Sequence, residues 1–311
     1  MRALSAALAF VSSVVVSAIV FAFLWSGLTA AAAWMSLACG TVAALAAWRS
    51  AASQARARLT FWDWLMLIVF GLVSLRAFLW LIYTRGDDIC VLSPNNLGDL
   101  SLHLNLIRYL ASGIPFWPES SILSGVPLTY PIGADLFNSV LEVGGVDTFV
   151  GLVWTGLAGA ALTGYALWLW GGPFGLAAFL FNGGLAGFAV LRTFQIEDFQ
   201  SEMVWKNFFL SMFVTQRGLL YALPAGLFLL SAWRERYFRN AAQLVPFWLQ
   251  FLIYASLPLF SIHTFLFLSA VLLAIFVAKL LTSRRDSPRS PGGTIAEVTV
   301  LVGVSIIPAT V

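Results

Sequence analysis

Asp99 stands four residues before His103 in the stretch NNLGDLSLHLNLIRYLASG, residues 95–113. On a helix, positions i and i+4 share one flank. A carboxylate held there is a general base: it can take the proton of an incoming hydroxyl or amine. The imidazole can orient that carboxylate or hydrogen-bond a phosphate. A plainer reading makes Asp99 a helix-start residue and His103 an interfacial ring. Other residues could join such chemistry. Arg217 can contact a phosphate through its planar fork or simply snorkel, and Gln216 beside it can add a hydrogen bond. His263 can bind phosphate or acceptor. Glu197 and Asp198, with Glu202, can hold a metal or acceptor hydroxyls, or be solvated. Asp87 and Asp88 form a competing acidic site. Tyr130 and Asp135 are candidate substrate contacts, and Trp117, Tyr130 and Phe137 suit an interface or stacking on a sugar or lipid.

The chain that carries these groups is 60% hydrophobic and 10% charged over 311 residues. Its mean hydropathy is +0.89. Soluble domains carry about a quarter charged residues, so this is an integral membrane protein. A pI of about 9.1 is not a nucleic-acid signal, because no basic stripe with stacking aromatics appears. Cys39 lies in an apolar run and Cys90 in a polar loop, so no disulfide is expected. The first apolar run reads as an uncleaved span rather than a signal peptide.

A membrane helix needs about 20 mostly apolar residues. Candidate runs are 5–26, 28–47, 61–83, 149–170, 173–191, 217–233, 243–259, 262–281 and 295–311. The expected fold is therefore an all-α polytopic bundle of about nine transmembrane helices. The last run ends at Val311 with no polar terminus, which reads as a fragment or truncation of a longer protein. Arginine and lysine gather at 48–60, 234–242 and 279–294, which places those loops and the N-terminus in the cytoplasm. Segment 84–148 falls outside. It carries two arginines against seven acids. Asn95 or Asn96 is its helix-start signal, Gly113 and Pro115 its stop. Leu100, Leu104, Ile107 and Ala111 recur at helical spacing. Such a helix is about 24 Å long, too short and polar to span, and fits one lying in the interface plane with its apolar face on lipid. The Pro- and Gly-punctuated stretch that follows is long enough to be functional, and leads to a short helix from about Ala134.

These residues resemble a known group. An Asp at the head of a juxtamembrane helix after a core span resembles the first external loop of the GT-C class of membrane glycosyltransferases. GDLSLHLNLIRYLASGIPFWPES and SGVPLTYPIGADLF resemble uncharacterised bacterial membrane proteins placed near that class. VTQRGLLYALPAGLFLL (214–230) and LPLFSIHTFLFLSAVLL (257–273) fit the same group. The likeness runs from about residue 60 to the end, giving an N-terminal hairpin with its basic loop (1–60) and a GT-C-like core (61–311) with external loop 84–148. The resemblance implies transfer of a sugar from a polyprenyl-phosphate donor to a glycan, lipid or protein acceptor on the outer face of a bacterial inner membrane. It gives Asp99 the base role; Arg217, which begins an expected span at the outer face, suits the donor phosphate by its own chemistry. Such a site would have Asp99, Arg217 and His263 border one outward-facing cavity, with a divalent metal as a possible cofactor.

The chain has no Walker loop, no GxGxxG in a βαβ context, no CxxC and no HExxH. That argues against nucleotide-driven transport and zinc proteolysis. Arg76 is the one charge well inside an expected span, where it can snorkel or pair with Asp87 or Asp88. The competing reading is a non-enzymatic protein, either a lipid-linked-glycan transporter or an envelope-assembly scaffold.

Overall fold

The computed structural model describes residues 1–52, 58–91, 96–182, 207–239 and 245–283. Helices α1 (Arg2–Leu24) and α2 (Ala30–Ser50) form a hairpin closed by Ser26 and Gly27, both at positive φ. Helix α3 (Phe61–Leu79) starts with a capping box: Thr60 accepts from the Asp63 backbone at 3.3 Å, and Asp63 accepts from the Thr60 backbone at 2.8 Å. The same carboxylate accepts from Trp168 Nε1 at 2.8 Å, so one cap also ties two helices together. Thr60→Ala is expected to cost about 1 kcal/mol, read as a fall in the thermal midpoint of the full chain in nanodiscs.

Strands β1 (Ile82–Arg85) and β2 (Asp88–Val91) follow as an antiparallel hairpin, with Gly86 at φ 62° in its turn. The run expected to span as far as residue 83 therefore ends at Leu79, and the fold is all-α apart from this one small hairpin. Then come α4 (Asn96–Ala111), α5 (Gly133–Val143) and α6 (Thr148–Leu180). A π-helical turn at Phe209–Phe213 precedes α7 (Leu219–Trp233), α8 (Phe247–Ser256) and α9 (Ile262–Ser283).

Contacts give each helix its direction. Met1 donates to Tyr165 at 2.9 Å, which joins the start of α1 to α6. Asp63 meets Trp168, and a Cβ at Gly156 would meet Phe78, so α3 is antiparallel to α6. Arg217 bonds Leu152 and Arg234 lies over Trp170, so α7 runs parallel to α6. Trp233 bonds Gln250 and Tyr221 bonds Ser256, so α8 is antiparallel to α7. Helix α6 turns back at Gly172-Pro173, where Gly172 has φ 59°. Gly164 and Phe179 both pack on Phe70, yet fifteen residues of straight helix would part them by about 22 Å. The break matches the gap expected between runs 149–170 and 173–191.

Among the described residues four helices are long and apolar enough to cross a membrane: α1, α2, α3 and α6. Phe247–Leu259 and Ile262–Ala278 are shorter apolar helices. The expected run 217–233 is α7, 15 residues long. Run 173–191 is described only to residue 182, and run 295–311 lies outside the described residues. Exposed tryptophans mark both ends of the bundle: Trp48, Trp62 and Trp64 at one, Trp25, Trp80 and Trp154 at the other. From Trp62 to Trp80 is about 27 Å of helix, close to the thickness of a hydrocarbon core.

The N-terminal hairpin is not set apart from the rest. Ser12 of α1, Tyr221 of α7 and Ser256 of α8 form a buried hydroxyl cluster. Phe10 packs edge-on against Phe137 of α5. Cys39 and Cys90 are free thiols. Arg76 lies 4.8 Å over the Trp80 ring, not beside Asp87 or Asp88.

Candidate functional site

Helix α4 runs from the start of α7 to the α1–α2 turn. At its first turn Asp99, half-buried, meets Gln216. Just past its end Gly113 touches Gly27, where a Cβ would come within 2.3 Å of the Gly113 carbonyl. Its buried face is Leu100, His103, Leu106, Ile107 and Leu110. That face packs on protein, chiefly α5, and is not laid on lipid as the amphipathic spacing suggested. The expected stripe included Leu104 and Ala111, whereas the observed one is rotated enough to take in His103.

Asp135 is what makes that rotation tolerable. It sits in the first turn of α5, and its Oδ1 lies 2.8 Å from His103 Nδ1. His103 and Asp135 are 2% and 1% exposed. One proton lies between Nδ1 and Oδ1, so each atom satisfies the other inside the protein. His103 is thus partnered by Asp135 and not by Asp99, contrary to the i,i+4 expectation. Asp135 is enclosed, and its Oδ1 holds His103. Ser139 donates to the Ile107 carbonyl at 2.9 Å and pins α5 to α4. Burial pushes the Asp135 carboxyl above the ordinary carboxylate range, against the opposing pull of the His103 hydrogen bond and of the His103 and Arg217 charges.

Tyr130 covers this pair, with its ring 6.2 Å from that of His103. Burial raises its hydroxyl pKa, and the negative charges of Asp135 and Asp99 add to that. Tyr130 therefore lies within electrostatic reach of both acids. Gln216 Nε2 donates to Asp99 Oδ2 at 3.4 Å, a long contact that steadies the carboxylate without closing it off.

Arg217 is 2% exposed. Its Nη2 donates to the Leu152 carbonyl at 2.6 Å and to Thr155 at 3.1 Å, both on α6. Thr155 in turn donates to Asn138 of α5 at 3.2 Å. The turn reaches this depth because residue 218 is glycine: a Cβ there would lie 1.9 Å from the Phe260 carbonyl. Gly133 does the same for α5, whose Cβ would meet the Leu259 carbonyl at 2.8 Å.

Four buried polar atoms in this group have no partner among the described residues: His103 Nε2, Asp135 Oδ2, and Arg217 Nε and Nη1. Each such atom costs about 1–3 kcal/mol if left bare. Their concentration on three neighbouring side chains is what a ligand- or water-bearing site looks like.

A cavity of about 380 Å³ lies beside Arg217, walled by α1, α2, α5, α6 and α7. Its lining includes neither Asp99 nor His263, so the three residues expected around one cavity do not share it. His263 is exposed on the first turn of α9 and, among the described residues, makes no hydrogen bond or ion pair. Asp87 and Asp88 are exposed at the hairpin tip. Glu197, Asp198 and Glu202 lie outside the described residues. Among the described residues no three His, Cys, Asp or Glu side chains converge as a metal site.

Sequence reasoning missed Asn138 and Thr155. One signal was present: Asp135, Asn138 and Ser139 stand at i, i+3 and i+4 in ADLFNSVLEV, a polar stripe on a short helix that is otherwise mostly apolar. No protein-family model matches the chain, and no curated protein or solved structure is similar to it.

Proposed function

We propose that the chain belongs to a GT-C-like membrane glycosyltransferase that takes sugar from a polyprenyl-phosphate donor, with Asp99 as general base. The observation that carries the reading is the half-buried Asp99 carboxylate, held by Gln216 at the bundle end where α4 and α5 gather. In the reaction Asp99 takes the proton of an acceptor hydroxyl as that oxygen attacks the anomeric carbon. The anomeric C–O bond to phosphate breaks, and polyprenyl phosphate leaves with the bonding electron pair. Tyr130 offers a ring for a sugar face. His103 and Asp135 position α4 and thereby Asp99. Arg217 follows Gln216, and in this reading it is the candidate contact for the donor phosphate.

Orientation in this reading follows positive charge. Arg49 and Arg58 flank the α2–α3 link, and Arg234, Arg236 and Arg239 follow α7, all at the end opposite Asp99. That end is cytoplasmic by the positive-inside rule, and the N-terminus lies with it. Asp99 then works on the outer face of a bacterial inner membrane, within about nine spans. The partners are membrane lipid, the lipid-linked sugar and a glycan, lipid or protein acceptor, with no role for nucleic acid.

The test is reconstitution of the full chain with polyprenyl phosphates carrying radiolabelled sugars and a mixed glycan and lipid acceptor pool. Label should leave the donor and appear in a new product. A lipid-linked sugar that crosses the bilayer with its sugar–phosphate bond intact, or no consumption of any donor, would overturn the enzyme reading.

A further inference from the structure

Arg2 and Arg49 stand at the foot of the N-terminal hairpin, far from Asp99 and outside the stretch that resembles the glycosyltransferases. Both are exposed. Arg2 Nε donates to the Ala51 carbonyl at 3.0 Å, which fixes its guanidinium against the end of α2. The other two nitrogens bear four N–H donors, and these make no hydrogen bond among the described residues. Arg49 lies in the last turn of α2, two residues before that carbonyl. No acid stands on α1, α2 or α6. The acid that opens α3, Asp63, is engaged by Thr60 and Trp168. Trp48, next to Arg49, is one of the exposed tryptophans that mark this end of the bundle, so the two cations lie at headgroup depth.

The cavity of about 380 Å³ begins one turn further in. Its wall includes Ala6 and Phe10, which share a helical stripe with Arg2 at i+4 and i+8. Arg2 and Ala6 are thus about 6 Å apart along α1. On α2 the wall residue is Ala44, seven positions before the carbonyl that Arg2 holds. Ala158 of α6 is in the wall and exposed, so the chamber opens at the bundle surface. The unpartnered Arg217 nitrogens are enclosed, so the chamber itself has no seat for a charged head. Apolar walls one turn from a pair of unneutralised guanidiniums match a molecule with an apolar tail and an anionic head. We infer that the hairpin foot binds one anionic phospholipid, its phosphate on Arg2 and Arg49 and one acyl chain in the alanine-walled chamber. A guanidinium takes phosphate oxygens through its planar fork, and a site with two cations and no free acid favours a lipid of net negative charge. The plainer role of Arg2 is to cap the last carbonyls of α2, which would give no preference among lipids. The inference stands whether or not the chain transfers sugar.

The test strips the full chain of lipid in mild detergent and titrates it with dioleoyl phosphatidylglycerol, dioleoyl phosphatidylcholine or dioleoylglycerol, counting bound molecules by native mass spectrometry. One phosphatidylglycerol should bind about tenfold or more tighter than phosphatidylcholine, since each arginine near a membrane surface is worth about a factor of five. Arg2→Gln with Arg49→Gln should bring the two phospholipids to equal affinity and leave dioleoylglycerol as it was. Both positions are exposed, and glutamine keeps a donor for the Ala51 carbonyl. Ala158→Trp fills the chamber from its open side and should abolish tight binding of phosphatidylglycerol. Should that variant fail to fold, Ala44→Leu narrows the same chamber from α2 and should weaken it. Equal affinity for the two phospholipids in the wild type leaves Arg2 a helix cap only and overturns the inference. So does a preference that survives in the double arginine variant, or undiminished phosphatidylglycerol binding in a folded chamber variant.

Discussion

Asp99→Asn is expected to lower sugar transfer about 10²–10⁴-fold, the usual worth of a positioned general base. The substitution is nearly isosteric. Its amide oxygen still accepts from Gln216, so the link between α4 and the start of α7 survives. What goes is the ability to take a proton. Asp99 also lies in the first turn of α4, where a negative charge is favoured by about 0.3–1 kcal/mol. That structural loss is far too small to account for a rate effect of the expected size. The two are separated by measuring donor binding and helical circular dichroism beside turnover. Retained binding and helicity with lost turnover supports the base role. Wild-type turnover in Asp99→Asn would remove Asp99 from catalysis, whatever else the protein does. Gln216→Ala should give a milder loss, because it frees the carboxylate to wander without neutralising it.

How far the residues announced this arrangement depends on distance along the chain. The limits of α4 were legible, because helix-start and helix-stop chemistry is local: Asn96 opens it and Gly113 follows its end. The reversal of α6 was legible at Gly172-Pro173 for the same reason. The side of α4 that is buried was not. Four residues of spacing tied His103 to Asp99, but the side chain that satisfies its imidazole is Asp135, 32 positions on. Apolar periodicity ranks an imidazole as polar and cannot foresee a distant acid that lets it be buried. The β-hairpin was missed although its signal was present. Gly86-Asp87 is a two-residue turn between IYTR and DICV, but the apolar run of α3 blends into Leu81-Ile82 and hides the change of period. Gathering Asp99, Tyr130, Asp135 and Gln216 from separate segments into one region is topology, which local pattern does not encode. The glycines that permit it, Gly133 and Gly218, look like any other membrane glycine until a neighbouring carbonyl is seen at 2.8 and 1.9 Å from where a Cβ would stand.

Asp135→Ala should be a strongly destabilising change near the site, costing about 1–3 kcal/mol, because it leaves buried His103 without its partner. Asp135→Asn keeps the shape and one hydrogen bond, and should cost much less. The pair differs from Asp99 in kind: its loss acts on the seating of α4, so turnover and stability fall together in Asp135→Ala. The pH dependence of folding tells which force governs the acid. Burial raises its folded pKa above that of the unfolded chain, outweighing the opposing His103 and Arg217 charges. A raised carboxyl contributes most to stability below the unfolded value of about 3.9, and that contribution is lost as pH rises through the folded value. The slope is at most one proton, about 1.4 kcal/mol per pH unit. Wild type should therefore lose more stability than Asp135→Asn between about pH 4 and the raised value, since asparagine does not titrate. Thermal unfolding of the two proteins in nanodiscs over that range decides it. The opposite slope, with wild type gaining relative to Asp135→Asn as pH rises, would mean that ion pairing and not desolvation sets the state of Asp135.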